Sequence, residues 1–192
     1  MSMSVQKRWE EFRFRIEQLP EKAQTALAVF GCQRAGRFYF KFCQDNGCRD
    51  STIVAEVIEL GWRALLGNFT RVNIELRGRL ETAARELEGG DALSTAAQEA
   101  CFPCMVLLEI LGGETGAKQV IRIINFLRDI IDMLAQEDRS FNKDTNDLDR
   151  EVLQSPLMID ELEHLHSALD LLNENREFSH AQISDLMALA KD

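Results

Sequence analysis

After the turn signal Gly112-Gly113-Glu114, the chain carries its clearest repeat: Val120, Ile124, Leu127, Ile131 and Leu134 recur in steps of four and three, and Ile123 and Ile130 widen the stripe. Lys118, Arg122, Asn125, Asp129, Asp132 and Gln136 fall on the opposite side. That period matches 3.6 residues per turn and no strand, so this segment is a helix with one face on a core. Strictly alternating β-branched runs are hard to find anywhere, and only three prolines occur, at 20, 103 and 156. The expected fold is all-α, a single domain over 1–192 built as a bundle of about seven or eight helices.

The other helices follow from the same spacing. Val5 to Leu19 sets Trp9, Phe12, Ile16 and Leu19 on one stripe, and Pro20 ends it while suiting the start of the next helix, which runs to Asn46. Gly31 and Gly36 weaken that second helix by up to about 1 kcal/mol each, and a bend near Gly36 is the expectation. Gly47 suits a left-handed stop, and Asp50 or Ser51 is placed to accept the first amides of a third helix ending near Leu66. A fourth spans Val72 to Leu87, and a fifth opens at Asp91 or Ser94. Pro103 should kink the fifth or make it begin anew. The polar stretch EDRSFNKDTNDLDRE reads as a loop or a loosely held helical turn, followed by a helix that faces Leu162, Leu165, Leu169 and Leu172 inward and a short last one capped by Ser179.

Charge narrows the partners. Lys and Arg number 22 against 32 Asp and Glu, a formal net charge of -10, which repels a nucleic acid backbone or an anionic membrane. The basic run RVNIELRGR, with Arg71, Arg77 and Arg79, is interleaved with Glu75, Glu81 and Glu86 and reads as a solvated helix face. The N-terminus has no apolar signal region, and no run approaches the roughly 18 uninterrupted apolar residues of a membrane span. A cytoplasmic location is expected, with the five cysteines (32, 43, 48, 101, 104) as reduced thiols and no disulfide framework.

Reactive chemistry has one candidate. EACFPCMVLLE places Cys101 and Cys104 three apart, the spacing of dithiol centres, and Pro103 frees amides near Cys104. Helical proteins of the alkylhydroperoxidase and carboxymuconolactone-decarboxylase type follow such a pair with histidine four residues on. Here that position is Leu108, and Glu99 nearby discourages a thiolate, so a packing role is expected for both cysteines. Zinc would need four ligands, and nothing in the spacing of Cys32, Cys43 and Cys48 brings them to the pair. Glu161 and His164, at i and i+3, form half of a di-iron motif whose second copy is absent, so His164 and Glu163 are expected to face solvent. No phosphate loop, dinucleotide fingerprint or nucleophile elbow occurs. No catalytic, cofactor-binding or metal-ligating residue is therefore assigned.

Residues 27–66, LAVFGCQRAGRFYFKFCQDNGCRDSTIVAEVIELGWRALL, resemble the YjaG-like family of bacterial proteins, domain of unknown function 416, through Cys32, Arg34, Phe42, Cys43, Gly47, Asp50 and Trp62. The likeness continues weakly through Asn73 and Leu80, then in EACFPCMVLLE and in VLQSPLMIDELEHLHSALDLL. The turn GCRD departs from the family's G-x-G-D, and Cys104 stands where a small residue is typical. The resemblance implies an all-α cytoplasmic protein with no assigned activity. Each of these positions also has a packing or turn explanation, and Arg34 is expected to be buried against an acidic partner.

The expected function is a helical protein-binding or regulatory module, an immunity-type role included, with another protein as partner and no cofactor. The alternative is a small-molecule or thiol-redox enzyme using Cys101 and Cys104. An apolar strip left exposed would make a homodimer.

Overall fold

A helix with one apolar stripe lies on a core, whereas one buried on all sides must be enclosed by others. The segment around Ala26 to Cys32 is buried without interruption, and the helix that carries it stands at the centre of the computed structural model, which describes residues 5–68, 74–137, 155–173 and 179–191. Among the described residues there are nine helices and no strand: α1 (Val5–Gln18), α2 (Glu21–Asn46), α3 (Ile53–Leu65), α4 (Ile74–Glu86), α5 (Ala92–Glu99), α6 (Cys101–Leu111), α7 (Ala117–Glu137), α8 (Pro156–Asn173) and α9 (His180–Leu189). The central α2 packs on α3, α5, α6, α7 and α8, while α1 lies across α7 and α8, α4 across α3, α5 and α6, and α9 against α8. The all-α expectation holds. The polar stretch expected as a loop falls, except for Glu137, outside the described residues, as do Arg71, Val72 and Asn73.

One helix more than expected arises because residues 92–111 divide at Ala100. Asp91 caps α5 by accepting the Ser94 amide at 2.8 Å. Pro103 then sits third in α6, where the amide it lacks would have no partner inside the helix. It begins a helix instead of kinking one. Together these residues form a stretch, Ala92–Leu111, long and apolar enough by mean hydropathy to cross a membrane, yet 61% of that window is buried within the protein, as befits helices at a core.

The glycines of α2 do not interrupt it; they let helices approach. A Cβ on Gly31 would stand 2.9 Å from Ile123 Cγ2 and Ile124 Cδ1 of α7, and one on Gly61 in α3 would stand 2.7 Å from Val29 Cγ2. Gly31 and Gly36 both lie within one uninterrupted helix, Glu21–Asn46. Closest packing outweighs the helix-propensity cost of glycine at these crossings.

Termini are sealed by named side chains. Gln24 donates to the carbonyls of Ile16 (3.3 Å) and Leu19 (3.0 Å), closing the α1–α2 corner. Ser155 accepts the Met158 amide at 3.1 Å to start α8, and Ser179 with Gln182 forms a capping box on α9. Trp9, Phe12, Ile16 and Leu19 are all buried as their spacing requires.

Candidate functional site

Three clusters carry chemistry-bearing side chains. In the first, Cys101 and Cys104 are fully buried, together with Cys32 from α2. Cys32 Sγ donates to the Pro103 carbonyl at 3.3 Å, and Cys101 Sγ points to the Ala97 carbonyl at 3.7 Å. Burial pushes the Cys32 and Cys101 thiols well above the usual range, and the neighbouring Cys104 and Glu99 push Cys101 further. Thiols sealed from solvent meet no substrate, so this pair packs as core.

The second cluster joins α2 to α8. Arg34 donates to both oxygens of Glu161, Nε at 2.9 Å and Nη2 at 2.8 Å, and both side chains are 1% exposed. Arg37, 36% exposed and stacked 4.8 Å above the Phe38 ring, adds a third bond to Glu161 at 2.7 Å. Two guanidiniums therefore meet one carboxylate, and burial lowers the Arg37 pKa. Arg34 has the acidic partner expected of it. Glu161 turns inward to supply that partner; Glu163 is exposed as expected, but His164, expected to face solvent, is only 18% exposed and donates from Nδ1 to the Asp160 carbonyl at 2.9 Å rather than joining Glu161. No group of three or more His, Cys, Asp or Glu able to hold a metal occurs among the described residues.

The third cluster is at the turn between α2 and α3. Gly47, at φ 74°, reverses the chain, and its amide donates to the Cys43 carbonyl at 2.9 Å. The reversal brings the α-carbons of Cys43 and Cys48 to 4.8 Å, and the two are joined by a disulfide. This corrects the expectation of five reduced thiols: an odd cysteine count does not say which sulfurs meet, whereas a tight reversal decides proximity. Cys43 is buried and Cys48 partly exposed.

Beyond the disulfide, the turn is held by Arg79 of α4. Its Nε and Nη2 donate to Asp50 at 2.7 and 3.0 Å, and its Nη1 and Nη2 donate to Glu56 at 2.6 and 2.9 Å. Thr52 adds a bond to Glu56 at 2.6 Å, and the Tyr39 hydroxyl donates to the Asp50 carbonyl at 2.6 Å. The bonds to Arg79 lower both carboxyls below their usual values and raise Arg79 itself. The residue at the N-cap position of α3 is Thr52, not Asp50 or Ser51 as expected, and its side chain makes no capping bond. Arg79, expected on a solvated face, is instead the clamp across α3 and α4. Nothing in its local spacing signals this, because its partners lie 23 and 29 residues away.

This clamp forms one wall of an open groove. A hollow of about 460 Å³ lies over Arg49, Asp50, Glu75, Arg79, Thr82 and Glu86, and a second of about 310 Å³ reaches over Tyr39, Phe42, Gly47 and Cys48. Arg49, Ala83 and Glu86 border both, so the two adjoin. The Arg49 side chain is 83% exposed and reaches Glu86 at 3.4 Å. The groove is the candidate site because it is open, charged and built on the turn that holds Cys43, Gly47 and Asp50.

Residues 11–192 match the model of a family described as protein of unknown function (DUF416). The crystal structure of a DUF416 family protein from Shewanella baltica OS155 aligns with 94% of this chain and 93% of its own, at a TM-score of 0.80 and 20% identity, a likeness of fold. No curated protein matches the sequence.

Proposed function

The chain belongs to the DUF416 family, and from that premise we propose that it is a cytoplasmic helical binding module whose working surface is the groove between the 47–52 turn and α4. Its partner is another protein, one that presents a basic segment. The observation that carries this reading is the charge of the groove walls. Asp50, Glu75 and Glu86 line it with Arg49 and Arg79, Arg79 is further neutralised by Glu56 behind it, and the chain as a whole has a formal net charge of -10. A cationic segment gains there by complementarity and by steering, whereas a phosphate backbone is repelled. Arg79 is already saturated by two carboxylates, so it serves to hold the surface in shape, while the exposed Arg49 and Glu86 are the groups a partner rearranges.

The sealed thiols give no support to a redox enzyme based on Cys101 and Cys104. An immunity-type role fits the same acidic groove. The test is affinity capture from the native host with the unchanged chain and with a Glu75→Lys/Glu86→Lys variant. A specific basic protein held by the first, released by moderate salt and lost with the second, is the expected result. Equal capture by both variants refutes the groove as the binding surface.

A further inference from the structure

The Cys43–Cys48 disulfide stands in the wall of the groove, and its two sulfurs are unequal in access. Cys43 belongs to the last turn of α2 and is buried at 9% exposure, whereas Cys48 is partly exposed and lines the 310 Å³ hollow beside Arg49. The other three cysteines are buried in the core. An external thiol therefore meets one protein sulfur before any other.

From this placement we infer that Cys43–Cys48 is a reversible thiol-exchange site for dithiol reductants, and that its redox state sets the shape of the groove. The thiolate of the reductant attacks Cys48 Sγ through the hollow. A mixed disulfide forms on Cys48, and Cys43 leaves as a thiolate that takes up a proton. The second thiol of the reductant then attacks its own sulfur in the mixed disulfide and releases Cys48 as a thiolate. The reductant ends as its disulfide, two electrons having passed to the protein pair, and both cysteines end as thiols.

The consequence follows from what the bond encloses. Residues 43–48 form a short covalent ring, and two residues beyond it Asp50 receives Tyr39 through its carbonyl and Arg79 through its carboxylate. With the ring open, the turn is held by the Gly47 amide bond and these polar contacts alone. The start of α3 and the Arg79 clamp then open more often, and the groove loses its fixed wall. Only this consequence touches the binding reading above; the exchange chemistry stands apart from it.

The test uses the full chain and needs no partner. Native protein is treated with dithiothreitol, alkylated, and mapped by mass spectrometry, with amide hydrogen exchange followed in parallel. The expected result is two new modified residues, Cys43 and Cys48, with Cys32, Cys101 and Cys104 unmodified. Exchange across 48–56 should speed by about tenfold or more and return to its starting value after re-oxidation with glutathione disulfide. With Cys43→Ser the remaining Cys48 should form a mixed disulfide with glutathione, and with Cys48→Ser the buried Cys43 should resist it. A folded Cys43→Ser/Cys48→Ser variant should exchange like the reduced protein. A disulfide that resists reductant until the whole chain unfolds, or reduction that leaves exchange across 48–56 unchanged, overturns the inference. Loss of partner binding with both redox states intact would refute the groove reading and leave this one standing.

Discussion

Replacing Glu161 by glutamine should be among the most damaging single changes available to this protein. The side chain keeps its size, so packing is preserved, but a carboxylate that accepts three charge-assisted bonds becomes neutral. Arg34 is 1% exposed and has no route to water, and its Nη1 already lacks a partner among the described residues. A charged guanidinium left uncompensated inside a core costs about 3–5 kcal/mol. For a domain of this size, where about 1 kcal/mol moves the midpoint by roughly 2–4 °C, melting should fall by about 6–20 °C. Urea unfolding followed by far-UV circular dichroism measures this directly, with an unchanged slope showing that the unfolded state is not the cause. An Arg34→Met/Glu161→Leu double variant should recover most of the loss, since Arg37, 36% exposed, can turn outward. A Glu161→Gln protein within about 1 kcal/mol of the parent would show that the ion cluster does not bear on stability, and the reasoning would fail.

Other expected outcomes concern packing, thiols and pH. Gly31→Ala should lower the melting temperature, because the new methyl at 2.9 Å from Ile123 and Ile124 costs about 1–3 kcal/mol, more than alanine returns in helix propensity; a raised midpoint would contradict the close crossing. Under non-reducing native conditions a thiol probe should leave Cys32, Cys101 and Cys104 untouched and modify all three on unfolding, so rapid native labelling of Cys104 would reopen the dithiol reading. His166 packs on Phe12 at 5.6 Å, and burial, then Arg8 and Arg15, lower its pKa from 6.5, with Glu11 and Asp170 opposing them. The unfolded chain thus binds the proton more readily than the folded one, so stability should be full above 6.5 and decline as the pH falls below it. His166→Phe should remove that slope from a series of denaturant midpoints, and an unaltered slope would place its origin elsewhere.

How much of this was legible beforehand depended on the range of the interaction. The stripes of α1, α7 and α8 were readable because a helix repeats its environment every three or four residues, and the residues named as inward are buried apart from Leu134, which is half-buried. The Gly47 stop, the Asp91 and Ser179 caps and the fresh start near Pro103 were readable for the same reason, since each depends on neighbours within a turn. Arg34 announced that it needed an acidic partner but could not name it. Glu161 lies 127 positions further on and resembled half of a metal motif until the structure placed it under α2.

The sequence by itself determined the all-α class and the apolar face of most helices, because these are written in local periodicity and turn chemistry. Only the tertiary structure decided which polar groups meet. Arg79 belongs by spacing to a solvated face, and three-dimensional packing of α4 over α3 delivers it to Asp50 and Glu56. Cys43 and Cys48 belong by compartment rules among the free thiols, and the reversal at Gly47 joins them. Local rules govern how a segment coils, whereas charge pairing and covalent cross-linking depend on distance in space, which chain spacing does not encode.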